Sequence, residues 1–296
     1  MNEIVYHIAS GQSFFSGVAL LILAALIGSR SGRVAGIISG VCFLIGVLAV
    51  VMSTAAIPVW VYAVWGVVGL LWFLSRPFAK FRLGSAVALV LLSLVAAAFE
   101  LPYHFTDPVA PVASRTLTVL GDSISSGVGG ERSTWPEILA STHDLQLDDK
   151  SNAGASVASA VQQVGTDPDI ESDLVIIELG GNDILGLTSA EEFESGMDEL
   201  LKSLTAPGRQ LVMLELPLPP LDHKFAYAQR RAAKKHGVAL VPKRVLLSAL
   251  TGDDATIDSL HLTDAGHDAL AQKIWKCIGP AYGPVDKVAG AAQEPR

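Results

Sequence analysis

Cysteine is scarce: Cys42 and Cys277 are the only two in 296 residues. One pair cannot build a disulfide framework, and the two lie in stretches of different character, so both read as unpaired buried thiols. Positive charge is sparse too. The chain has 21 Lys and Arg against 29 Asp and Glu, a net charge of −8. Nucleic-acid binding needs a basic surface, so that partner is excluded. No charged residue lies between Arg33 and Arg76, a run of 42 positions. Intramembrane ionisable groups usually mark a transport path, and their absence from such a run argues against a transporter. No internal repeat is found.

What is present falls into two unlike parts. Half of the residues are hydrophobic, 50%, and the overall hydropathy is too high for an ordinary soluble enzyme. Residues 1–112 carry a net charge of +2 and the remainder −10. A span of the hydrocarbon core needs roughly 20 apolar residues. The uncharged runs therefore predict an all-α region of four transmembrane helices over residues 1–100, at about 8–28, 34–53, 56–75 and 83–99. The long run breaks at Ser53-Thr54-Ala55-Ala56, with Pro58 placed to start the next helix. Gly32, Gly36 and Gly40 repeat every four residues, a spacing that suits close helix contact. Arg30 and Arg33 fall in one loop, and Arg76, Lys80 and Arg82 in the next but one. These loops are expected to face the cytoplasm, with both termini outside. Phe14–Gly28 has no basic segment before it and is expected to stay as an anchor rather than be cleaved. The expected location is the cytoplasmic (inner) membrane, with the second domain on the outer, periplasmic side. Residues 101–115 hold three prolines and read as a semi-rigid linker.

From residue 116 to 280 short apolar runs alternate with amphipathic ones. Strands are predicted at Thr116–Leu120, Leu145–Asp148, Leu174–Leu179, Gln210–Leu216 and Val238–Val241. Helices are predicted at Trp135–Ser141, Ser156–Val164, Ala190–Leu204 and Asp222–Lys235, and from a Thr263 cap to Ile278. Such alternation predicts an α/β fold of three layers, α/β/α, with a parallel sheet and ligand binding at the strands' carboxyl ends. Residues 281–296 read as a flexible tail.

Four motifs sit where that architecture places reactive groups. In "LTVLGDSISSGVGG", Ser123 follows the first strand; it is a candidate nucleophile, or Asp122 and Ser123 cap the next turn. The GxSxG elbow is absent, since Ser125 stands at its second glycine. In "NAGAS", Gly154 can bring a backbone N–H close to substrate, or form a plain turn. In "LGGNDIL", Asn182 offers an amide donor to a developing oxyanion, or the segment is a tight turn. In "DSLHLTDAGH", Asp258 and His261 are spaced so that a carboxylate can hold an imidazole that faces a serine. Zinc held by His261 and His267 is disfavoured by the spacing and by the want of a third ligand.

In this order the four blocks resemble the SGNH (GDSL) hydrolase family. They read Gly121-Asp122-Ser123-Ile124, Gly154, Gly180-Gly181-Asn182-Asp183 and Asp258-Ser259-Leu260-His261. The resemblance runs from about Arg115 to Gly279, and its one departure is Ile124 in place of leucine. It implies a flavodoxin-like hydrolase domain. It also implies catalysis by Ser123, His261 and Asp258, with an oxyanion hole from the Ser123 and Gly154 N–H groups and the Asn182 side chain. No metal or cofactor is expected. The expected activity is cleavage of carboxylic (acyl) esters, on lipids or O-acylated glycans outside the cytoplasm. The expected partners are that substrate and the bilayer; protein partners are left open. The alternative is an acyltransferase or deacetylase component of a system that modifies cell-envelope polysaccharide.

Overall fold

The computed structural model describes residues 3–30, 32–166, 170–186, 188–220, 222–258 and 260–283. The chain divides into two compact units. Residues up to His104 form one together with Pro217–Tyr227; Phe105–Leu216 and the chain from Ala228 onward form the other.

The first unit is helical: α1 (Glu3–Ala9), α2 (Gln12–Gly28), α3 (Arg33–Met52), α4 (Val59–Ser75) and α5 (Ala79–Glu100), followed by a 3₁₀ turn, Leu101–His104. Two of these helices are long and apolar enough to cross a membrane, α3 and α5 with its 3₁₀ extension. The pair α1 and α2 makes a third if counted as one span, but it is bent by 86°. The bend falls at Gly11, which has φ 80°. With 17 residues, α4 is about 25 Å long at 1.5 Å per residue, at the short limit for a span. Residues 53–58 separate α3 from α4, and Pro58 caps α4 as its fixed φ suits. The close helix contact is not made at Gly32, Gly36 and Gly40. A Cβ on Gly32 would meet nothing, and those on Gly36 and Gly40 would meet the Arg76 side chain. Instead α2 and α3 touch at Gly17, where a Cβ would lie 2.7 Å from both the Gly46 oxygen and Val50. Helix α5 also runs one residue past the expected span, to Glu100, which is fully buried.

The second unit contains β1 (Thr116–Gly121), α6 (Ser123–Ser126), α7 (Trp135–His143), β2 (Gln146–Asp149), α8 (Val157–Thr166), β3 (Leu174–Glu178), α9 (Gly181–Leu185) and α10 (Ala190–Leu204). It continues with β4 (Gln210–Leu214), α11 (His223–His236, whose first turns group with the other unit), β5 (Ala239–Val241), α12 (Lys243–Leu250) and α13 (Asp264–Tyr282). The five strands form one parallel sheet in the order β2-β1-β3-β4-β5. Every residue of β3 is buried, as a parallel sheet covered on both faces requires. Leu117, Val119, Leu174, Ile176, Val212 and Leu214 point to one face and pack with Trp135, Leu139, Leu246, Leu270 and Ile274 from α7, α12 and α13. Alternation sends Leu120, Val175, Ile177 and Met213 to the other face. The order turns at β1 and β3, and in such sheets ligands bind at the carboxyl ends of the strands at that turn.

Part of the expected semi-rigid linker is tied to the α/β unit. From Phe105 it groups with the α/β unit. The Asp107 N–H donates to the Leu240 oxygen at 3.1 Å and the Leu240 N–H to Asp107 Oδ2 at 3.1 Å. The Ser114 N–H donates to Asp173 Oδ2 at 2.7 Å. Of the expected tail, Ala281 and Tyr282 are buried in the last turn of α13, and the Tyr282 hydroxyl donates to the Thr116 oxygen at 3.0 Å. Burial pushes the Tyr282 phenol well above its ordinary value. Residues 284–296 lie outside the described residues.

Candidate active site

Ser123 is the first residue of α6, just past the carboxyl end of β1. The Asp122 carboxylate caps that short helix, Oδ1 accepting from the Ile124 N–H at 2.9 Å. The cap is thus made by Asp122, and Ser123 is not used for it. Gly121 is required there, because a Cβ would stand 2.3 Å from Ser125 Oγ.

The fourth motif forms a tight turn before α13. Asp258 Oδ1 accepts from the N–H groups of Leu260 at 3.1 Å and His261 at 2.9 Å, and Oδ2 lies 2.7 Å from His261 Nδ1. The backbone N–H of His261, its imidazole and the Leu260 N–H together hold the Asp258 carboxyl well below the usual carboxylate range. On the far side of the ring, His261 Nε2 is 3.2 Å from Ser123 Oγ. Residues 135 positions and more apart thus form one hydrogen-bonded line from carboxylate to hydroxyl.

Asn182 lies in α9, directly after β3. Its Nδ2 donates to the Ala155 oxygen at 3.0 Å and to Asp122 Oδ2 at 3.2 Å. Both amide hydrogens are therefore in use, the Asp122 bond being the longer. The Asn152 N–H donates to the Gly121 oxygen at 3.0 Å and the Val157 N–H to Asp183 Oδ2 at 2.9 Å. These bonds stitch the second motif to the first and third. Gly154 has φ +79°, which favours glycine, and open space where a Cβ would be. Within the described residues neither the Ser123 nor the Gly154 backbone N–H has a partner, so both are available as donors.

Beneath this lies one residue that sequence reasoning missed. Glu178, the last residue of β3, is fully buried. Its Oε2 accepts from the Ser125 hydroxyl at 2.8 Å, which accepts from Trp135 Nε1 at 3.2 Å. Burial, then the neighbouring Asp122 charge, push the Glu178 carboxyl well up; burial also raises Asp122 and Asp183. The available signal was an acid at the end of the otherwise apolar run "LVIIE". His267 is a core residue, fully buried, with Nδ1 accepting from the Trp135 N–H at 3.0 Å. Burial lowers its pKa.

Residues 119–269, half of the chain and all four motifs, match the GDSL-like Lipase/Acylhydrolase family. The chain belongs to that family, and it is a carboxylic ester hydrolase. The hydrolase is 26% identical over 185 residues to "Esterase TesA" of Pseudomonas aeruginosa, covering 57% of this chain and 90% of the relative. It is 28% identical over 142 residues to "Thioesterase 1/protease 1/lysophospholipase L1" of Escherichia coli, covering 44% of this chain and 67% of the relative. Its fold is that of the psychrotrophic esterase EstA from Pseudoalteromonas sp., at TM-score 0.52 and 20% identity, over 56% of this chain and 98% of that one. None of these matches extends over the whole chain, and the N-terminal helices lie outside the family match.

The loops around the site have one more property. Apart from Phe105, the large apolar residues exposed in the α/β unit, among the described residues, are Val128, Leu185, Ile257 and Leu260. Each lies on a segment that carries a site residue. Leu260 and Ile257 flank Asp258, Leu185 ends the helix of Asn182, and Val128 follows α6.

Proposed function

We propose that this hydrolase cleaves acyl esters through a Ser123 acyl-enzyme, and the observation that carries this is the line Asp258–His261–Ser123. The Nδ1–H of His261 donates to Asp258 Oδ2, which leaves Nε2 free to accept from the Ser123 hydroxyl. Ser123 Oγ attacks the ester carbonyl carbon as its proton passes to Nε2. The carbonyl oxygen takes the negative charge. The N–H groups of Ser123 and Gly154 receive it, joined by Asn182 as its longer bond to Asp122 yields a hydrogen. The C–O bond to the alcohol then breaks, and Nε2–H protonates the departing alkoxide. Water attacks the acyl-enzyme with His261 again as base, releasing acid and restoring Ser123.

The apolar residues around the site favour acyl chains, and two relatives carry the names esterase and lysophospholipase. Lipid esters, then O-acylated glycans, are the substrate classes that fit. The apolar helices α3 and α5, with α1–α2 and the short α4, support an anchor of four spans in the cytoplasmic membrane. Basic residues on alternate loops support the hydrolase domain facing outward. Turnover of p-nitrophenyl butyrate by the full chain in detergent, compared with Ser123→Ala, tests the reaction. Loss of several orders of magnitude is expected, and a variant with full activity removes Ser123 as the nucleophile.

A further inference from the structure

Glu178 is an acid in an unusual place. It is fully buried and makes no ion pair with Lys, Arg or His among the described residues. Its Oε1 is buried and meets no donor, while Oε2 takes the Ser125 hydroxyl. The Asp122 N–H spans both kinds of oxygen on it, at 3.2 Å to the backbone oxygen and 3.4 Å to Oε2. The charged or titratable groups about this centre are acidic on two sides. Asp122 comes from the β1–α6 turn and Asp183 from α9, while the His261 ring acts on Asp122 from the far side. Ser125 and Trp135 are neutral.

An ionised Glu178 would leave an acceptor-only oxygen unpaired beside another carboxylate, which is the costly arrangement for a buried group. A neutral acid has a hydrogen to give, and Asp122 is the acceptor at hand. Asp122 is the residue that receives both the Ile124 N–H and Asn182 Nδ2. We propose that Glu178 is a positioning residue: held as the neutral acid, it fixes the Asp122 carboxylate, which sets the Asn182 amide and the Ser123 turn for the oxyanion. The inference rests on the assignment of Ser123 and Asn182 above. The raised Glu178 pKa supports it, with burial first among its causes.

Glu178→Met and Glu178→Gln in the full chain test it. Methionine fills the space without a hydrogen-bonding acid, so the oxyanion donor is loosened. The kcat for p-nitrophenyl butyrate falls roughly 10- to 100-fold with KM little changed, as expected for a misplaced transition-state contact. Glutamine, neutral with a donor and an acceptor, restores most of that kcat. It is also expected to make kcat less sensitive to rising pH than in the parent enzyme. If the methionine variant does not fold, Ser125→Ala takes its place. That change removes the hydroxyl that fixes the acid and lowers kcat by about 3- to 10-fold on the same reasoning. A folded methionine variant with unchanged kcat, a glutamine variant as slow as methionine, or an effect confined to KM overturns the proposal. Ser123→Ala is measured beside them. Its full activity overturns the Ser123 assignment itself, and with it this inference, whereas an inactive Ser123→Ala beside a fully active methionine variant sinks only Glu178.

Discussion

Asp258→Asn is the sharpest perturbation of the proposed reaction, because the turn dictates how the amide must sit. Asp258 Oδ1 accepts two backbone N–H groups, at 3.1 and 2.9 Å, while Oδ2 faces His261 Nδ1 at 2.7 Å. An asparagine keeps its oxygen on the two N–H groups, since the opposite orientation would set NH₂ against both. The NH₂ then faces Nδ1, which must become an acceptor. The ring's remaining hydrogen moves to Nε2, the atom 3.2 Å from Ser123 Oγ, and Nε2 can no longer accept the serine proton. In a trypsin-type triad the same tautomer error costs about 10⁴ in kcat, near 5.4 kcal/mol in the barrier. Here the Asp258 side chain is 52% exposed, so water competes for the ring and a loss of about 10³–10⁴ is expected. The assay is kcat for p-nitrophenyl butyrate on the full chain in detergent, with a thermal melt to confirm folding. A folded Asp258→Asn enzyme within tenfold of the parent kcat refutes the assignment of Asp258.

Other consequences are also measurable. Asn182→Ala removes one oxyanion donor and lowers kcat by about 10²–10³ with a smaller effect on KM, as steady-state kinetics will show. Gly121→Ala drives a Cβ to 2.3 Å from Ser125 Oγ; thermal melts should show a loss of about 1–3 kcal/mol, the range for overpacking. Stability against pH, compared between the parent and Glu178→Gln, isolates Glu178. Its folded pKa lies above the reference 4.5, so the folded state holds a proton that the unfolded state releases. That contribution is full below about pH 4.5 and is lost as pH rises toward the folded value, by at most about 1.4 kcal/mol per unit. Melts of Glu178→Gln over the same range should therefore decline less with pH than those of the parent; an identical slope contradicts the sign.

Much of the α/β unit was legible because its strands are short apolar runs between turns. Ala190–Leu204 occurs with the expected bounds, led by Ser189 and Glu192 in a capping box, a local signal. All five strands occur within two residues of expectation. The order of motifs was likewise enough to expect the residues that meet at the site. What the sequence concealed depends on the third dimension. Helix α12 was missed: it has eight residues, and its first, Lys243, is buried near Glu215, which pairs with Arg230 at 2.7 Å. No periodicity announces a lysine directed inward. Glu178 gives no such signal, because an acid at a strand's end usually faces water; here α6 and Ser125 cover it. The linker's attachments were not legible, because proline and the lack of periodicity report local stiffness while its bonds to Leu240 and Asp173 come from distant chain. The glycines were misassigned for a related reason: spacing marks a possible contact, but only packing shows that Gly17 and Gly46 make it.

The most direct test of the central claim is labelling with a fluorophosphonate followed by mapping of the adduct by mass spectrometry. Such a probe reacts with a serine only when a base and an oxyanion site activate it. The full chain should carry one adduct, on Ser123, with labelling lost in His261→Ala and slowed in Asn182→Ala. An adduct on another residue, or ester hydrolysis that persists while Ser123 stays unlabelled, contradicts the account.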